Sequence, residues 1–190
     1  LLAIGLLVAI FLPLYAMLSK SFQDAEGNFT GLANYREYFG TPTLVTSAQH
    51  TLTIGVVITV IVVVLAFIYA YALTRSCMPL KGFFRGVAMV PILAPSLLPA
   101  ISLVYLFGNQ GMVKGILMGQ TIYGPIGIVI ALAFWIFPHT VLILTTALSM
   151  ADARLYEAAI ALRASKLRIF FSVTLPGAKY GVMSACFVAF

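Results

Sequence analysis

The feature of this sequence that most restricts its fold is an apolar run, without a single charged residue, from Thr51 to Leu73. At about 1.5 Å per residue, a helix over this run is about 34 Å long, which is enough to cross the hydrocarbon core of a bilayer. Its many valine and isoleucine residues would suggest a strand in water. The length favours a helix in lipid, where backbone polar groups must bond within their own segment.

The composition supports a membrane protein. Of the 190 residues, 62% are hydrophobic and only 8% are charged, and the mean hydropathy is +1.09. A soluble domain is about 45–50% apolar and about 25% charged, and it needs a polar exterior that this chain does not supply. We therefore expect an all-α, polytopic helical membrane protein and not a water-soluble enzyme.

Five apolar segments are predicted to span the membrane, roughly at residues 1–18, 51–73, 87–107, 123–148 and 181–190. The first and the last look cut, so we expect residues 1–190 to form one transmembrane domain of a longer protein. No carboxylate lies in any span, and Cys77 and Cys186 fit neither a disulfide nor a metal pattern. We therefore expect no catalytic residue, no metal and no cofactor.

The basic residues predict the orientation of the chain. The loops after the second and fourth spans carry eight of the eleven Lys and Arg residues: Arg75, Lys81, Arg85, Arg154, Arg163, Lys166, Arg168 and Lys179. The positive-inside rule places these two loops in the cytoplasm. The net charge of +6 is then explained by topology, and we expect no nucleic-acid partner.

The longer cytoplasmic loop, residues 149–180, is predicted to form two short amphipathic helices. Ser149 and Asp152 fit a capping box before the first helix, and Ser165 suits the N-cap of the second. Pro176 predicts the end of the second helix. Taken alone, the pattern leaves two interpretations open: a hairpin that lies on the inner leaflet, attracted by its basic residues, or a helix that docks into the groove of a cytoplasmic partner.

The same loop resembles the signature of ABC importer permeases, the binding-protein-dependent inner-membrane components of these transporters. The signature reads Glu-Ala-Ala, three residues, Gly, nine residues, Ile-x-Leu-Pro. This chain matches it at Glu157, Ala158, Ala159, Val173 (for Ile), Leu175 and Pro176. Arg163 stands at the Gly position, where glycine allows a positive φ. We expect Arg163 either to tolerate the strain or to shift the turn to Ala164-Ser165. The outer segment 31–35, Gly-Leu-Ala-Asn-Tyr, belongs to the same resemblance.

The resemblance implies a type I transmembrane-domain fold in a bacterial cytoplasmic (inner) membrane. It also implies that the loop is a coupling helix whose main polar contact to a separate ATPase is Glu157. The coupling residues would be Glu157, Ala158, Ala159, Arg163, Ala164, Leu175 and Pro176. The implied partners are a cytoplasmic ATPase dimer, an extracytoplasmic substrate-binding protein, a second permease half (identical, different or fused) and membrane lipid. Because the chain has no P-loop, ATP hydrolysis would belong to the ATPase chain.

Within this family, the stretch Pro95–Gly111 is most similar to permeases for 2-aminoethylphosphonate and iron(III). It favours an organophosphonate as substrate, with iron(III) or another small solute as the alternative. A function from a different class also stays open, namely a membrane scaffold whose basic hairpin binds anionic lipid.

The membrane interior offers a second group of candidates. Three prolines recur every four residues along the third span, so we expect them to share one helix face: Pro91, Pro95 and Pro99. The span is then either a kinked packing helix or a lining of the translocation path, with Ser96 and Ser102 as polar contacts. His139 is the one His, Lys, Arg, Asp or Glu residue well inside a span. It is either a path residue or a neutral histidine bonded to a neighbouring helix, and an intramembrane enzyme built on His139 is the third class of function considered.

Overall fold

A computed structural model describes residues 2–94, 97–117, 119 and 121–190 of the chain. Within these residues the regular structure is helical apart from one isolated bridge between Gln23 and Phe29, which confirms the all-α prediction. The chain divides into two compact units, Leu1–Leu52 and Thr53–Phe190.

The first unit contains three helical segments: α1 (Leu2–Ser21), α2 (Ala33–Gly40) and the beginning of α3 (Pro42–Arg75). The loop between α1 and α2 is organised by Asp24, whose carboxylate accepts hydrogen bonds from the backbone N–H groups of Asn28 (2.8 Å) and Glu26 (2.9 Å). These bonds, the one from Asn28 above all, lower the pKa of the Asp24 carboxyl below its usual value, since they stabilise its charged form.

The segment 31–35 closes the C-terminal end of α1. Gly31 has a φ of 61°, which glycine adopts without strain. The side-chain amide of Asn34 donates to the carbonyl oxygens of Ser21 (3.0 Å) and Gln23 (2.8 Å), and the Tyr35 hydroxyl donates to Ser21 Oγ (2.8 Å). Asn34 thereby satisfies carbonyl groups that the end of a helix leaves without partners.

The second unit contains the rest of α3 and, in chain order, α4 (Lys81–Met89), a 3₁₀ turn (Val90–Leu93), α5 (Leu98–Phe107), a 3₁₀ turn (Lys114–Leu117), α6 (Pro125–Ser149), α7 (Ala153–Ala161), α8 (Lys166–Ile169), a π-helical turn (Phe170–Thr174), α9 (Leu175–Gly177) and α10 (Lys179–Ala189). The core lies between α3, α6 and α10. Its fully buried residues include Ala66 and Ala70 of α3, Leu144 and Leu148 of α6, and Ala185 of α10.

Small residues let α10 approach α6 closely. A Cβ atom built on Gly181 would collide with the Cβ of Ala147, so only glycine fits at this crossing. In a membrane, the hydrophobic effect does not drive helices together, because lipid tails are as apolar as the side chains. Helix association therefore relies on close packing, and small residues at the contact allow the two backbones to approach. The crossing therefore fixes the start of α10 against the C-terminal half of α6.

Two described helices, α3 and α6, are long and apolar enough to cross a membrane. Helix α3 extends beyond the predicted span 51–73 at both ends, and α6 lies close to the predicted span 123–148. The apolar stretch Gly5–Ser21 of α1 is shorter than these two helices. Helix α10 has 11 residues. The arrangement in five spans stays a prediction.

The predicted third span, 87–107, differs from a single kinked helix. The helical stretch Lys81–Leu93 and α5 run at 98° to each other across a break, and they make a third span only if this bent pair crosses as one. Pro91 lies in the 3₁₀ turn, and Pro99 lies in the first turn of α5, where a helix needs no N–H donor. The expectation that the prolines share one helix face is therefore wrong for Pro91 and Pro99, and Pro95 lies outside the described residues.

Candidate functional site

The loop predicted as two amphipathic helices begins with α7, and its start is capped differently from the prediction. The Asp152 carboxylate accepts a hydrogen bond from the backbone N–H of Arg154 (2.9 Å), which makes Asp152 itself the N-cap. The Ser149 hydroxyl donates to the carbonyl oxygen of Thr146 (2.8 Å) at the end of α6. The capping box is therefore wrong, because Ser149 ends the preceding helix and Asp152 alone begins the next.

The second helix begins as predicted, and its helical run ends at Gly177, one residue beyond the predicted end at Pro176. Ser165 caps α8, and its Oγ accepts from the backbone N–H of Arg168 (3.3 Å). The chain then passes through the π-helical turn and continues through α9, with the Leu175 N–H bonded to the carbonyl of Phe170, five residues back. The wider turn accommodates the ring of Pro176, which in a regular α-helix clashes with the carbonyl four residues earlier.

Arg163 occupies the turn between the two helices with a φ of 52°, in the left-handed region. Its N–H donates to the carbonyl of Ile160 (2.9 Å), and the N–H of Ala164 donates to the carbonyl of Ala159 (3.0 Å). This pair of bonds is the Schellman motif, which usually has glycine at the left-handed position. Of the two alternatives, Arg163 tolerates the strain, and the turn does not shift to Ala164-Ser165.

The tip of the loop presents an exposed surface, called here the hairpin surface. Glu157 and Ala158 are exposed in the middle of α7, and Ala159 is half-buried. In the same loop, five large apolar side chains are exposed by more than half: Leu155, Ile160, Leu162, Leu167 and Phe171. Leu175 and Pro176 are also exposed. Large apolar side chains that the rest of the chain leaves uncovered are typical of a surface that a partner or a membrane covers.

A set of contacts that no sequence motif predicts connects α7 to α3 and α6. Arg75 Nη2 donates to the carbonyl of Leu148 (2.8 Å), and the guanidinium carbon lies 4.0 Å from the ring centroid of Tyr156. The Tyr156 hydroxyl donates to Oγ1 of Thr174 (2.7 Å), which is fully buried. We call Arg75, Leu148, Tyr156 and Thr174 the Arg75 bracket. In the sequence, Arg75 stood out only as one of the basic residues that predict the orientation, and no local pattern links it to Tyr156.

The residues predicted for the translocation path lie on different helices. Pro95 and Ser96 lie outside the described residues, Pro99 and Ser102 lie on α5, and His139 lies on α6. His139 is half-buried, and its Nδ1–H donates to the carbonyl of Trp135 (3.1 Å) on the same helix, which differs from the alternative of a bond to a neighbouring helix. This bond leaves Nε2 as the second polar atom of the ring. The path itself stays a prediction.

The chain is similar to permease proteins of several transport systems. It is 25% identical over 188 residues to the probable sulfate transport system permease protein cysT of Nephroselmis olivacea, covering 97% of this chain and 64% of that protein. It is 29% identical over 131 residues to the molybdenum transport system permease protein ModB of Escherichia coli K12, covering 64% and 55%.

A third relative is the spermidine/putrescine transport system permease protein PotC of Haemophilus influenzae, 26% identical over 185 residues, with 95% of this chain and 68% of that protein covered. The chain thus spans less than two thirds of the cysT and ModB relatives. None of these three names mentions phosphonate or iron, so the predicted subgroup is not supported by them.

The family comparison matches residues 74–190 to the binding-protein-dependent transport system inner membrane component family. The matched region begins at the end of α3 and includes α7, the turn at Arg163 and α8. The match agrees with the resemblance carried by Glu157, Ala158 and Ala159, and with the expectation that the chain is a transport component and not an enzyme. This chain belongs to the family of binding-protein-dependent transport system inner membrane components.

Proposed function

We propose that this chain is the transmembrane permease subunit of an ATP-driven importer in a bacterial inner membrane, and that the hairpin surface couples it to a separate cytoplasmic ATPase. The observation that carries the proposal is the exposure of Glu157, together with large apolar side chains of the same loop, whose shape is held by two caps and a Schellman turn. A short helix that exposes both apolar side chains and the Glu157 carboxylate suits the groove of a protein partner.

The position of Glu157 favours a protein partner over lipid. Glu157 and Ile160 are three residues apart, so they are neighbours on one face of α7, and both are exposed. If this face lay on the inner leaflet, the anionic headgroups would repel the Glu157 carboxylate. A partner groove with an apolar floor and a basic group accommodates both side chains. The coupling residues in this proposal are Glu157, Ala158, Ala159, Arg163, Ala164, Leu175 and Pro176.

The remaining parts of the importer follow from the same proposal. A second permease half, identical, different or fused, completes the translocation path, and a substrate-binding protein docks on the outer loops. The residues proposed for the path are Pro95, Ser96, Pro99, Ser102 and His139. Among them, His139 keeps Nε2 available for a polar contact, because its Nδ1–H is bonded to Trp135.

For the substrate, we propose to test an organophosphonate first. The stretch Pro95–Gly111 supports 2-aminoethylphosphonate, whereas the names of the reported relatives point to sulfate, molybdenum or polyamines. The test is stimulation of ATPase activity in the reconstituted complex by its own binding protein, loaded with 2-aminoethylphosphonate, ferric iron, sulfate, molybdate or spermidine. Stimulation by any of the other four, and none by the phosphonate, overturns this choice of substrate.

The coupling surface is tested by Glu157→Lys in the reconstituted complex. We expect stimulation of ATPase activity by the loaded binding protein to fall by about tenfold or more, because the variant places a like charge against the basic group of the partner. Membrane insertion stays unchanged, since Glu157 lies exposed in the loop. Glu26→Lys, the same charge change on an exposed outer-loop residue, is the matched control and keeps full stimulation.

A scaffold function gives the opposite result. A chain that only binds anionic lipid through its basic hairpin would bind vesicles in a salt-sensitive manner. It would purify without an ATPase, and Glu157→Lys would strengthen its binding to anionic vesicles. That combination overturns the permease proposal.

A further inference from the structure

The Arg75 bracket is the place where four separate elements meet at a few polar contacts. Arg75 is the last residue of α3, Leu148 lies in the last turn of α6, Tyr156 lies on α7, and Thr174 ends the π-helical turn. Each contact joins side chains or backbone from different elements, at 2.8 Å for Arg75 to Leu148, 4.0 Å for Arg75 to the Tyr156 ring, and 2.7 Å for Tyr156 to Thr174.

The contacts of the bracket are of kinds that hold α7 firmly against α3 and α6. The planar guanidinium of Arg75 stacks on the Tyr156 ring, and one of its nitrogens donates a hydrogen bond to the carbonyl of Leu148. That carbonyl lies near the negative end of the α6 dipole, which favours a positive charge there. Arg75 is half-buried and Thr174 is fully buried, so water competes little for these bonds. The bracket therefore fixes Tyr156, and with it the adjacent Glu157, relative to the cytoplasmic ends of α3 and α6.

In this conformation, the bracket and its immediate surroundings contain buried polar atoms that are left unpaired. Within the described residues, Arg75 Nε is buried without an acceptor, and so is Oγ1 of Thr145, one helical turn before Leu148. A buried donor without a partner favours any rearrangement that supplies one. An importer needs two conformations, and elements that change between them are commonly rotations or small shifts of packed helices.

We propose that Arg75 and Tyr156 are positioning residues of the importer, which transmit movement of the Glu157 helix to α3 and α6 through the Arg75 bracket. The inference rests on the proposed function of the hairpin surface. The second helix of the loop has its own attachment to α3, since the Phe170 ring packs edge-on against Phe67 (5.9 Å between centroids) and Tyr71 (5.7 Å). The bracket provides the corresponding attachment for α7, which carries Glu157.

The test uses the reconstituted complex of permease, ATPase and binding protein in lipid nanodiscs. Arg75→Gln is expected to lower the ratio of stimulated to basal ATPase activity by about tenfold, while the affinity of the permease for the ATPase changes by less than about twofold. Arg75→Lys keeps the charge but loses the stacked plane, so we expect it to recover only part of the ratio. Arg85→Gln, the same substitution on an exposed residue of α4, is the matched control and leaves the ratio unchanged.

The hydroxyl contact is tested separately. Tyr156→Phe and Thr174→Val each remove one partner of the same hydrogen bond and keep the shape of the side chain. We expect each to lower the ratio by about threefold, and the double variant to lower it no further than either single variant. Additive losses in the double variant contradict the contact.

The outcomes separate this inference from the proposed function. If Glu157→Lys abolishes stimulation and Arg75→Gln keeps it, the hairpin surface couples and the bracket does not transmit. If Arg75→Gln loses the ATPase from the complex together with stimulation, Arg75 is only structural, and the inference is overturned. If Glu157→Lys keeps stimulation, the proposed coupling surface itself is wrong.

Discussion

At the scale of single residues, Arg163 carries a strain that its position imposes. The Schellman bonds from Arg163 and Ala164 require a left-handed residue at 163, and the side chain there has a Cβ atom that this conformation disfavours. The family signature has glycine at this position, so its spacing located the turn, and only the structure revealed that the turn is kept with arginine in it. Keeping the turn at Arg163 leaves Ser165 extended, as its role as the N-cap of α8 requires.

We predict that Arg163→Gly stabilises the end of α7 by about 1 kcal/mol, because glycine adopts a positive φ without the Cβ clash. The measurement is hydrogen exchange of the Arg163 and Ala164 amides in the purified protein, which should slow by about fivefold. Ala164→Gly is the control, since Ala164 has no positive φ, and it should give no such gain. Equal or faster exchange in Arg163→Gly would mean that the arginine is not strained there.

At the scale of elements, local patterns predicted most helices but not how they end. The serine at 165 was recognised as a cap because capping depends on one side chain and the next backbone groups. The π-helical turn that precedes Pro176 was not predicted, because such a turn has no sequence signal of its own. Likewise, the spacing of Pro91 and Pro99 indicated a bend but not a break, because the direction of a chain after a proline is decided by what it packs against.

The contact between α6 and α10 yields a prediction for two glycines of the same segment. Gly181→Ala should destabilise the protein by about 1–3 kcal/mol, because its Cβ collides with Ala147 and the two helices must move apart. Gly177→Ala is the matched control: its Cβ would lie 3.6 Å from Ala151 Cβ, an ordinary contact, so stability should stay the same or rise by up to about 1 kcal/mol. Thermal unfolding in detergent measures both, and an equal effect of the two changes would contradict the close packing.

At the scale of the whole molecule, the sequence was informative about class, it predicts an orientation, and it was silent about long-range contacts. The small number of charged residues and the long apolar segments are visible in the sequence itself, so they could be evaluated without a structure. The bond between Arg75 and Leu148 joins residues 73 positions apart, and no periodicity or motif encodes such a distance. The exposed hairpin surface was foreseen because the signature marks it, whereas the bracket beneath it depends on how three helices meet.

The predicted orientation can be tested with the native cysteines. Cys77 is exposed in the loop between α3 and α4, among the basic residues that the positive-inside rule places in the cytoplasm, and Cys186 is half-buried in α10. In a Cys186→Ala background, a membrane-impermeant maleimide should label Cys77 in inside-out vesicles and leave it unlabelled in intact cells. Replacing Cys77 by serine and adding Glu26→Cys should reverse the result, because Glu26 lies in the predicted outer loop. Labelling of Cys77 from outside intact cells would invert the topology and place Glu157 where no cytoplasmic ATPase can reach it.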